Sequence, residues 1–222
     1  MNAFVTAAES IEDEAPMSAK THSPAEDLAF MRALVEGGGS QGMAQFGEVY
    51  FVAGLLYGLQ VLLQALPGFG VPPPSPPWQL AIGIGPTVVF LAFLVWSLWR
   101  HRGQSAGVAQ RAIGAVFGAV GLANMALICI IGSAALRHRS LEIWLIYPCV
   151  VFVLQGAAWI VAGVVRRQAW PGLLGAAWIV MGIAMGFCVE WMPIYALIAG
   201  AALIGLMAIP GAAMMRLVRR AA

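Results

Sequence analysis

Six long apolar stretches follow one another from residue 46 to the C-terminal region, and short polar or proline-rich segments separate them. Each has close to the roughly 20 residues that a helix needs to cross the hydrocarbon core of a bilayer. Short connections between such helices favour antiparallel neighbours. The pattern predicts an all-α integral membrane protein, a bundle of six transmembrane helices within residues 46–216. We predict the spans at 46–66, 78–99, 112–135, 143–165, 172–190 and 194–215.

The amino-acid composition agrees with a lipid environment. Of the 222 residues, 61% are hydrophobic and only 10% are charged, whereas soluble domains carry about 25% charged residues. A soluble protein of this composition would expose large apolar patches to water, which monomers avoid. We therefore expect the lipid bilayer to be the main partner of the surface, and we expect no nucleic-acid partner.

The distribution of arginine and lysine predicts the side of the membrane on which each loop lies. With a cytoplasmic N-terminus, ten of the twelve basic residues lie in cytoplasmic segments, and only Arg137 and Arg139 lie outside. Cytoplasmic loops of membrane proteins are enriched in basic residues. The prediction is a multi-pass protein of the bacterial inner (plasma) membrane with cytoplasmic N- and C-termini and a basic cytoplasmic tail at 217–222.

The N-terminal region is acidic, and the sequence divides it into three parts. Residues 1–22 are predicted to be a disordered acidic tail. They lack the basic start and the apolar run of a signal peptide. The sequence Ser-Pro-Ala-Glu at 23–26 is a capping box, which predicts a cytoplasmic amphipathic helix over 23–36. Several glycines follow, and they predict a flexible Gly-rich joint at 37–45.

The predicted cytoplasmic helix has one apolar stripe, and a helix this short is marginal unless a surface buries such a stripe. Residues 1–36 carry seven acidic and two basic residues, so anionic lipid should repel them. Two surfaces remain, the basic cytoplasmic face of the protein itself and a protein partner. The stripe consists of Leu28, Met31, Leu34 and Val35, and the basic face of Arg100, Arg102, Arg166 and Arg167.

Glycine pairs spaced four residues apart recur in alternate spans. They are Gly54 and Gly58 in the first span, Gly114 and Gly118 in the third, and Gly182 and Gly186 in the fifth. The recurrence is compatible with three related helical hairpins. Small residues let helices approach closely in lipid, so packing within the bundle is the simplest role of these glycines. A homodimer formed through one of the pairs is the alternative.

The polar side chains deep within the predicted spans are neutral amides. A charged group at that depth is costly and normally functional. The sequence places no charged residue there, so the amides are the candidates for a polar site. They could form interhelical hydrogen bonds, each worth about 0.6 kcal/mol, or they could line a path for an uncharged solute. The candidates are Gln60, Gln64, Asn124 and Gln155.

Two carboxylates lie near the outer ends of predicted spans. Glu142 precedes the fourth span and Glu190 closes the fifth, on the same side as Arg137 and Arg139. We predict interfacial ion pairs between these carboxylates and arginines. A proton or cation site involving Glu190 is the alternative.

No catalytic or cofactor-binding motif occurs in the sequence. The histidines lie outside the predicted spans, and the three cysteines share no metal-ligand spacing. Nucleotide-binding, hydrolase and metalloprotease motifs are absent. We therefore expect no enzyme activity, no cofactor and no metal site.

Two functions fit these features. The first is a non-enzymatic accessory or regulatory membrane protein, because an ordinary membrane core is combined with a well-defined cytoplasmic arm. The alternative is a small transporter or channel for a neutral or amphipathic solute. The amides at depth favour this alternative, and so do Pro86 and Pro210, which should kink their spans.

Overall fold

A computed structural model describes residues 39–102 and 107–221 of the chain. These residues form helices joined by short turns, which confirms the predicted all-α membrane fold. The acidic tail and the amphipathic helix predicted at 23–36 lie outside the described residues. The same is true of the predicted apolar stripe, Leu28, Met31, Leu34 and Val35.

Six helices in the described part of the chain are long and apolar enough to cross a bilayer, as the sequence predicts. The first five are α1 (Gly39–Ala65), α2 (Pro76–Arg100), α3 (Val108–His138), α4 (Leu141–Arg166) and α5 (Ala169–Phe187). The sixth consists of α6 (Met192–Leu203), a π-helical turn (Ile204–Ala208) and α7 (Ile209–Ala221), together called the sixth span. A short 3-10 turn (Leu66–Phe69) follows α1.

Two segments outside the predicted spans belong in large part to helices. α1 begins at Gly39, so most of the joint predicted at 37–45 is helical. Met43 and Phe46 explain this difference, because both pack against the buried core, and such packing stabilises a helix more than propensity does. α7 likewise continues to Ala221, through the segment predicted as a basic tail.

α3, α4 and α5 are joined by two tight turns in which arginine adopts the left-handed conformation. Arg139 follows α3 with φ 48°, and Arg167 follows α4 with φ 53°. Their N–H groups donate to carbonyls of the preceding helical turn, which would otherwise lack partners. Ser140 then caps α4, since its hydroxyl accepts a hydrogen bond from the N–H of Ile143 at 3.3 Å. The turns make α4 antiparallel to both of its neighbours.

The π-helical turn in the sixth span lies just before Pro210. A proline has no N–H, and its ring clashes with the carbonyl four residues earlier, which here belongs to Leu206. A wider helical turn relieves that clash. The distortion predicted at Pro210 is therefore a change of helix type, whereas Pro86 lies inside the continuous helix α2.

Close backbone contacts at glycine hold four of the spans together. A Cβ added at Gly54 of α1 would lie 2.5 Å from the backbone nitrogen of Ala208 in the sixth span. A Cβ at Gly156 of α4 would lie 2.6 Å from the carbonyl oxygen of Gly175 in α5. Most of the buried core lies among these four spans, together with Ile113 of α3. α2 packs mainly on α1, and α3 packs mainly on α4.

The three predicted glycine pairs have different surroundings. The pair in α1 faces the sixth span, and Gly182 faces α4. A Cβ at Gly114, Gly118 or Gly186 would meet no atom of residues 39–102 and 107–221 within 4 Å. The most extensive contacts, between α1 and the sixth span and between α4 and α5, also lie outside the three predicted hairpins. The pairs are therefore not structurally equivalent.

Candidate functional site

A hydrogen-bonded cluster in the core centres on the hydroxyl group of Tyr50, whose side chain is 3% exposed. Trp159 Nε1 donates to the hydroxyl oxygen at 2.6 Å, and Gln155 Nε2 donates to it at 2.9 Å. The two donors are four residues apart and so share one face of α4, while the acceptor belongs to α1. The cluster therefore joins α1 to α4 through buried side chains.

Aromatic rings surround this cluster. Phe46 stacks on Tyr50 with ring centroids 5.3 Å apart, and Phe117 of α3 approaches Phe46 edge-on at 4.9 Å. Phe117 also meets the ring of Trp159 edge-on at 5.5 Å, and Trp170 of α5 lies 5.7 Å from Trp159. Such aromatic pairs contribute beyond their buried area. The rings thus bring α1, α3, α4 and α5 together around one hydroxyl group.

A second tyrosine connects the sixth span to α4. Tyr195 is 4% exposed, and its hydroxyl donates to the carbonyl oxygen of Leu145 at 2.8 Å. The sulfur of Cys149 lies 3.9 Å from the same hydroxyl oxygen. α1 and the sixth span, which pack on each other at glycine, therefore each form a tyrosine hydrogen bond with α4.

The predicted amides do not line a common cavity. Gln155 bonds to Tyr50, whereas Gln60 Nε2 donates to the carbonyl oxygen of Gly83 at 2.9 Å and joins α1 to α2. Gln60 follows Tyr50 by ten residues of α1, a separation of about 15 Å along the helix axis. Gln64 is exposed, in a depression beside the proline-rich segment. Gln60 and Gln155 thus form interhelical hydrogen bonds, as one of the two interpretations predicted.

Asn124 is the remaining predicted amide, and it lies partly buried on α3. Its Oδ1 atom is buried and accepts no hydrogen bond from the described residues. A buried carbonyl without a donor costs free energy. Asn124 is therefore the one of the four amides that has a buried oxygen without a donor among the described residues.

Arg166, one of the arginines of the predicted basic face, turns partly into the bundle. Its Nη2 donates to Oε1 of Gln110 at 2.8 Å, and its Nη1 lies 3.1 Å from the sulfur of Met43. A small cavity of about 20 Å³ lies among these side chains and the aromatic rings. The contacts connect the ends of α1, α3 and α4, so Arg166 has a packing role in addition to its charge.

The other arginines of the predicted basic face are exposed. The guanidinium of Arg100 lies over the ring of Trp96, 5.1 Å from the centroid, in a cation–π arrangement. Arg102 and Arg167 lie in the turns after α2 and α4. Docking of the N-terminal helix on this face stays a prediction, because that helix lies outside the described residues.

At the opposite end of the bundle, Glu142 and Glu190 line one surface depression of about 500 Å³. α5 ends at Phe187 rather than at the predicted residue 190, so Glu190 lies in the turn that follows. Arg137 belongs to the last turn of α3, next to Arg139. Within residues 107–221 no carboxylate and arginine of this group approach to 4.0 Å, so the predicted ion pairs are not formed in this structure.

α2 and α3 are the least buried spans. Of the most hydrophobic 18 residues in each, only 6% are buried, against 28% to 33% in the other four spans. The two helices make little contact with each other. Gly114, Gly118 and Gly121 share one face of α3, and a Cβ on any of them would meet no atom within 4 Å. This face is open throughout the described part of the molecule.

The sequence analysis did not identify Tyr50, Trp159 or Tyr195. A usable signal exists for Trp159, because tryptophan normally lies at the membrane interface and Trp159 lies six residues inside the predicted span 143–165. Tyr50 gives no such signal, since it lies one helical turn inside the predicted span 46–66. A buried hydroxyl or indole N–H needs a hydrogen-bond partner. The partner across the bundle, however, depends on how the helices are arranged, which the sequence pattern does not specify.

Comparison with known proteins gives no relative from which a function could be transferred. No protein-family model, curated protein or solved structure matches the chain. Among the described residues no three His, Cys, Asp or Glu side chains are grouped so as to hold a metal ion. The six apolar helices make the chain a multi-pass membrane protein, and any narrower function has to be inferred from its own geometry.

Proposed function

We propose that this chain is a non-enzymatic accessory protein that packs against another integral membrane protein through α3, with α2 beside it. The observation that carries the proposal is the low burial of these two spans, 6% against 28% or more elsewhere. The other four spans form most of the core, to which α3 adds Ile113 and Phe117. The remaining surfaces of α2 and α3 are apolar faces that this core does not use.

The open glycine face of α3 supports helix packing as the mode of contact. Helices in lipid associate through van der Waals contact and close backbone approach at small residues. Within this molecule, the glycines of α1 and of α4 and α5 show that arrangement, since their neighbours lie where a Cβ would be. The face formed by Gly114, Gly118 and Gly121 has the same chemistry, and no other described residue packs on it.

The internal polar groups also favour an accessory role over transport. Tyr50, Gln155 and Trp159 bond to one another, and Gln60 bonds to the backbone of α2. These bonds stabilise the bundle and leave no continuous row of amides along one path. The cytoplasmic arm predicted at 23–36 would supply a regulatory contact in water beside the membrane contact of α3.

Site-specific photo-crosslinking in cells tests this proposal. A photo-reactive phenylalanine analogue replaces Gly118, and the matched control carries it in place of Gly186, which is equally open but lies on α5. We expect a discrete protein adduct from position 118 and only lipid adducts from position 186. The position-118 adduct should disappear when Gly121→Leu fills the same face.

Two results would contradict the proposal. Lipid adducts alone at position 118 would show that the glycine face contacts the bilayer. A band at twice the mass of the chain would identify a second copy, and would establish the homodimer instead of an accessory contact.

A small transporter for a neutral solute is the second candidate, and the unpaired Oδ1 of Asn124 is the observation that favours it. In a cysteine-free background, Asn124→Cys should react with a membrane-impermeant maleimide only if water reaches this depth. Ser140→Cys, in the turn before α4, is the positive control. Labelling at position 124 supports transport, and its absence counts against it.

A further inference from the structure

A long trough runs along the outside of the bundle between α1 and the second half of the sixth span. Its volume is about 510 Å³. The walls are apolar for most of its length, and two arginines stand at the end nearest the C-terminus. The residues that form it include Phe51 and Leu55 of α1, and Ala208, Ala212, Ala213, Arg216 and Arg220 of the sixth span.

Close contact of the two helices forms the floor of the trough. A Cβ at Gly211 would lie 2.6 Å from the backbone nitrogen of Phe51 and 2.7 Å from the carbonyl oxygen of Gly47. Ala208 and Ala212 are four residues apart and therefore lie in one row of the helix surface. Ala208 is 3% exposed and belongs to the floor, while Ala212 is partly exposed above it. Since alanine has only a methyl group, the row leaves a channel beside the larger side chain of Phe51.

The length of the apolar part matches one leaflet of a bilayer. From Ile204 to Arg216 the sixth span rises about 18 Å, at about 1.5 Å for each residue. Half of a hydrocarbon core of about 30 Å is about 15 Å. A chain lying in the trough would therefore reach from the middle of the membrane to the arginines.

The charges at the end of the trough favour an anion. Arg216 and Arg220 both line the trough, one and two helical turns after Ala212. Within residues 39–102 and 107–221 no carboxylate lies within 4.0 Å of either group. Glu48, the acidic residue of α1 at this end, does not line the trough.

We propose that this trough is a binding site for one anionic phospholipid of the leaflet at the arginine end. One acyl chain lies between α1 and α7 along the alanine row, and Arg216 and Arg220 bind the phosphate. Arginine forms short, strong hydrogen bonds to phosphate oxygens. The site requires both parts, because the trough fits a chain of any lipid and the arginines select a net negative headgroup.

Native mass spectrometry of the purified full-length chain tests the site. Phosphatidylglycerol and phosphatidylcholine of the same chain length are titrated separately, and bound lipids are counted. We expect one phosphatidylglycerol to bind more tightly than phosphatidylcholine. Arg216→Gln and Arg220→Gln should each weaken its binding about fivefold. Arg219→Gln removes the same charge from the same helical turn outside the trough, and should weaken binding less than twofold.

A second pair of variants tests the acyl-chain part while every arginine is kept. Ala213→Phe fills the trough and should abolish the single tight phosphatidylglycerol. Ala176→Phe makes the same change at an exposed position of α5 and should leave binding unchanged. Equal loss for all three arginine variants would reduce the effect to surface attraction and overturn the proposal. Unchanged binding in Ala213→Phe, or equal affinity for both lipids, would overturn it as well.

Discussion

The indole N–H of Trp159 donates to the hydroxyl oxygen of Tyr50 at 2.6 Å, across the interface between α4 and α1. Both side chains are 3% exposed. The same oxygen also accepts a hydrogen bond from Gln155, so one hydroxyl group serves two donors of α4. α1 and α4 have no direct connection in the chain, and this shared acceptor is one of the polar contacts that hold them together.

Tyr50→Phe should therefore lower the stability of the bundle by about 1–2 kcal/mol, because two buried donors lose their acceptor. Tyr57→Phe is the control on the same helix. The ring of Tyr57 lies edge-on to Phe90 with centroids 5.5 Å apart, and its hydroxyl forms no hydrogen bond with the described residues. Thermal unfolding in detergent measures both variants. Equal melting temperatures for the two would show that the Tyr50 cluster contributes nothing to stability.

Gly54→Ala should destabilise the protein by about 1–3 kcal/mol, because its methyl group would lie 2.5 Å from the backbone of the sixth span. Gly118→Ala is the matched change on α3, where that methyl group meets no atom. It should leave stability unchanged or raise it by up to about 1 kcal/mol, since alanine favours a helix. The same thermal assay compares them, and the prediction fails if Gly118→Ala is the more damaging.

Arg139→Gly should stabilise the turn between α3 and α4 by about 0.5–1 kcal/mol. The left-handed conformation of Arg139, with φ 48°, costs an L-amino acid free energy that glycine avoids. Arg137→Gly removes the same charge two residues earlier, within α3, and should destabilise by about 1 kcal/mol. Opposite shifts of the melting temperature are expected, and shifts of the same sign would indicate that charge, not backbone conformation, governs this turn.

Reporter fusions test the orientation that the arginine distribution predicts. A reporter after residue 140 should lie outside the cytoplasm, and one after residue 168 should lie inside, because α4 separates the two turns. An enzyme that is active only in the periplasm distinguishes the two positions. Activity at 168 and none at 140 would invert the predicted topology.

The hydrophobic pattern was sufficient to predict the six spans, because crossing a bilayer requires about 20 apolar residues whatever the helices contact. It gave less accurate helix ends. Gly39 to Gly42 look like a joint in the sequence, but the partly buried side chains of Met43 and Phe46 pack against the core, and the helix continues through the glycines. Tertiary packing determined that boundary, and a local pattern does not contain it.

Helix arrangement was less predictable than helix number. Gln155 was identified as a polar residue at depth, yet its partner Tyr50 is 105 residues away in the sequence. The four-residue glycine spacing was visible in three spans, but it does not tell a packed face from an open one: Gly54 is packed and Gly118 is open. Which faces meet depends on contacts between distant segments, and one sequence alone does not specify them.

α2 packs mainly on α1 and contributes little to the core. Its presence nevertheless determines the direction of every helix after it, because each crossing reverses the chain. Without α2, the hairpin of α3 and α4 would enter from the other side of the membrane, and the sixth span would run parallel to α1 instead of antiparallel. α2 thus contributes little to packing, yet it sets the direction in which every later helix crosses the membrane.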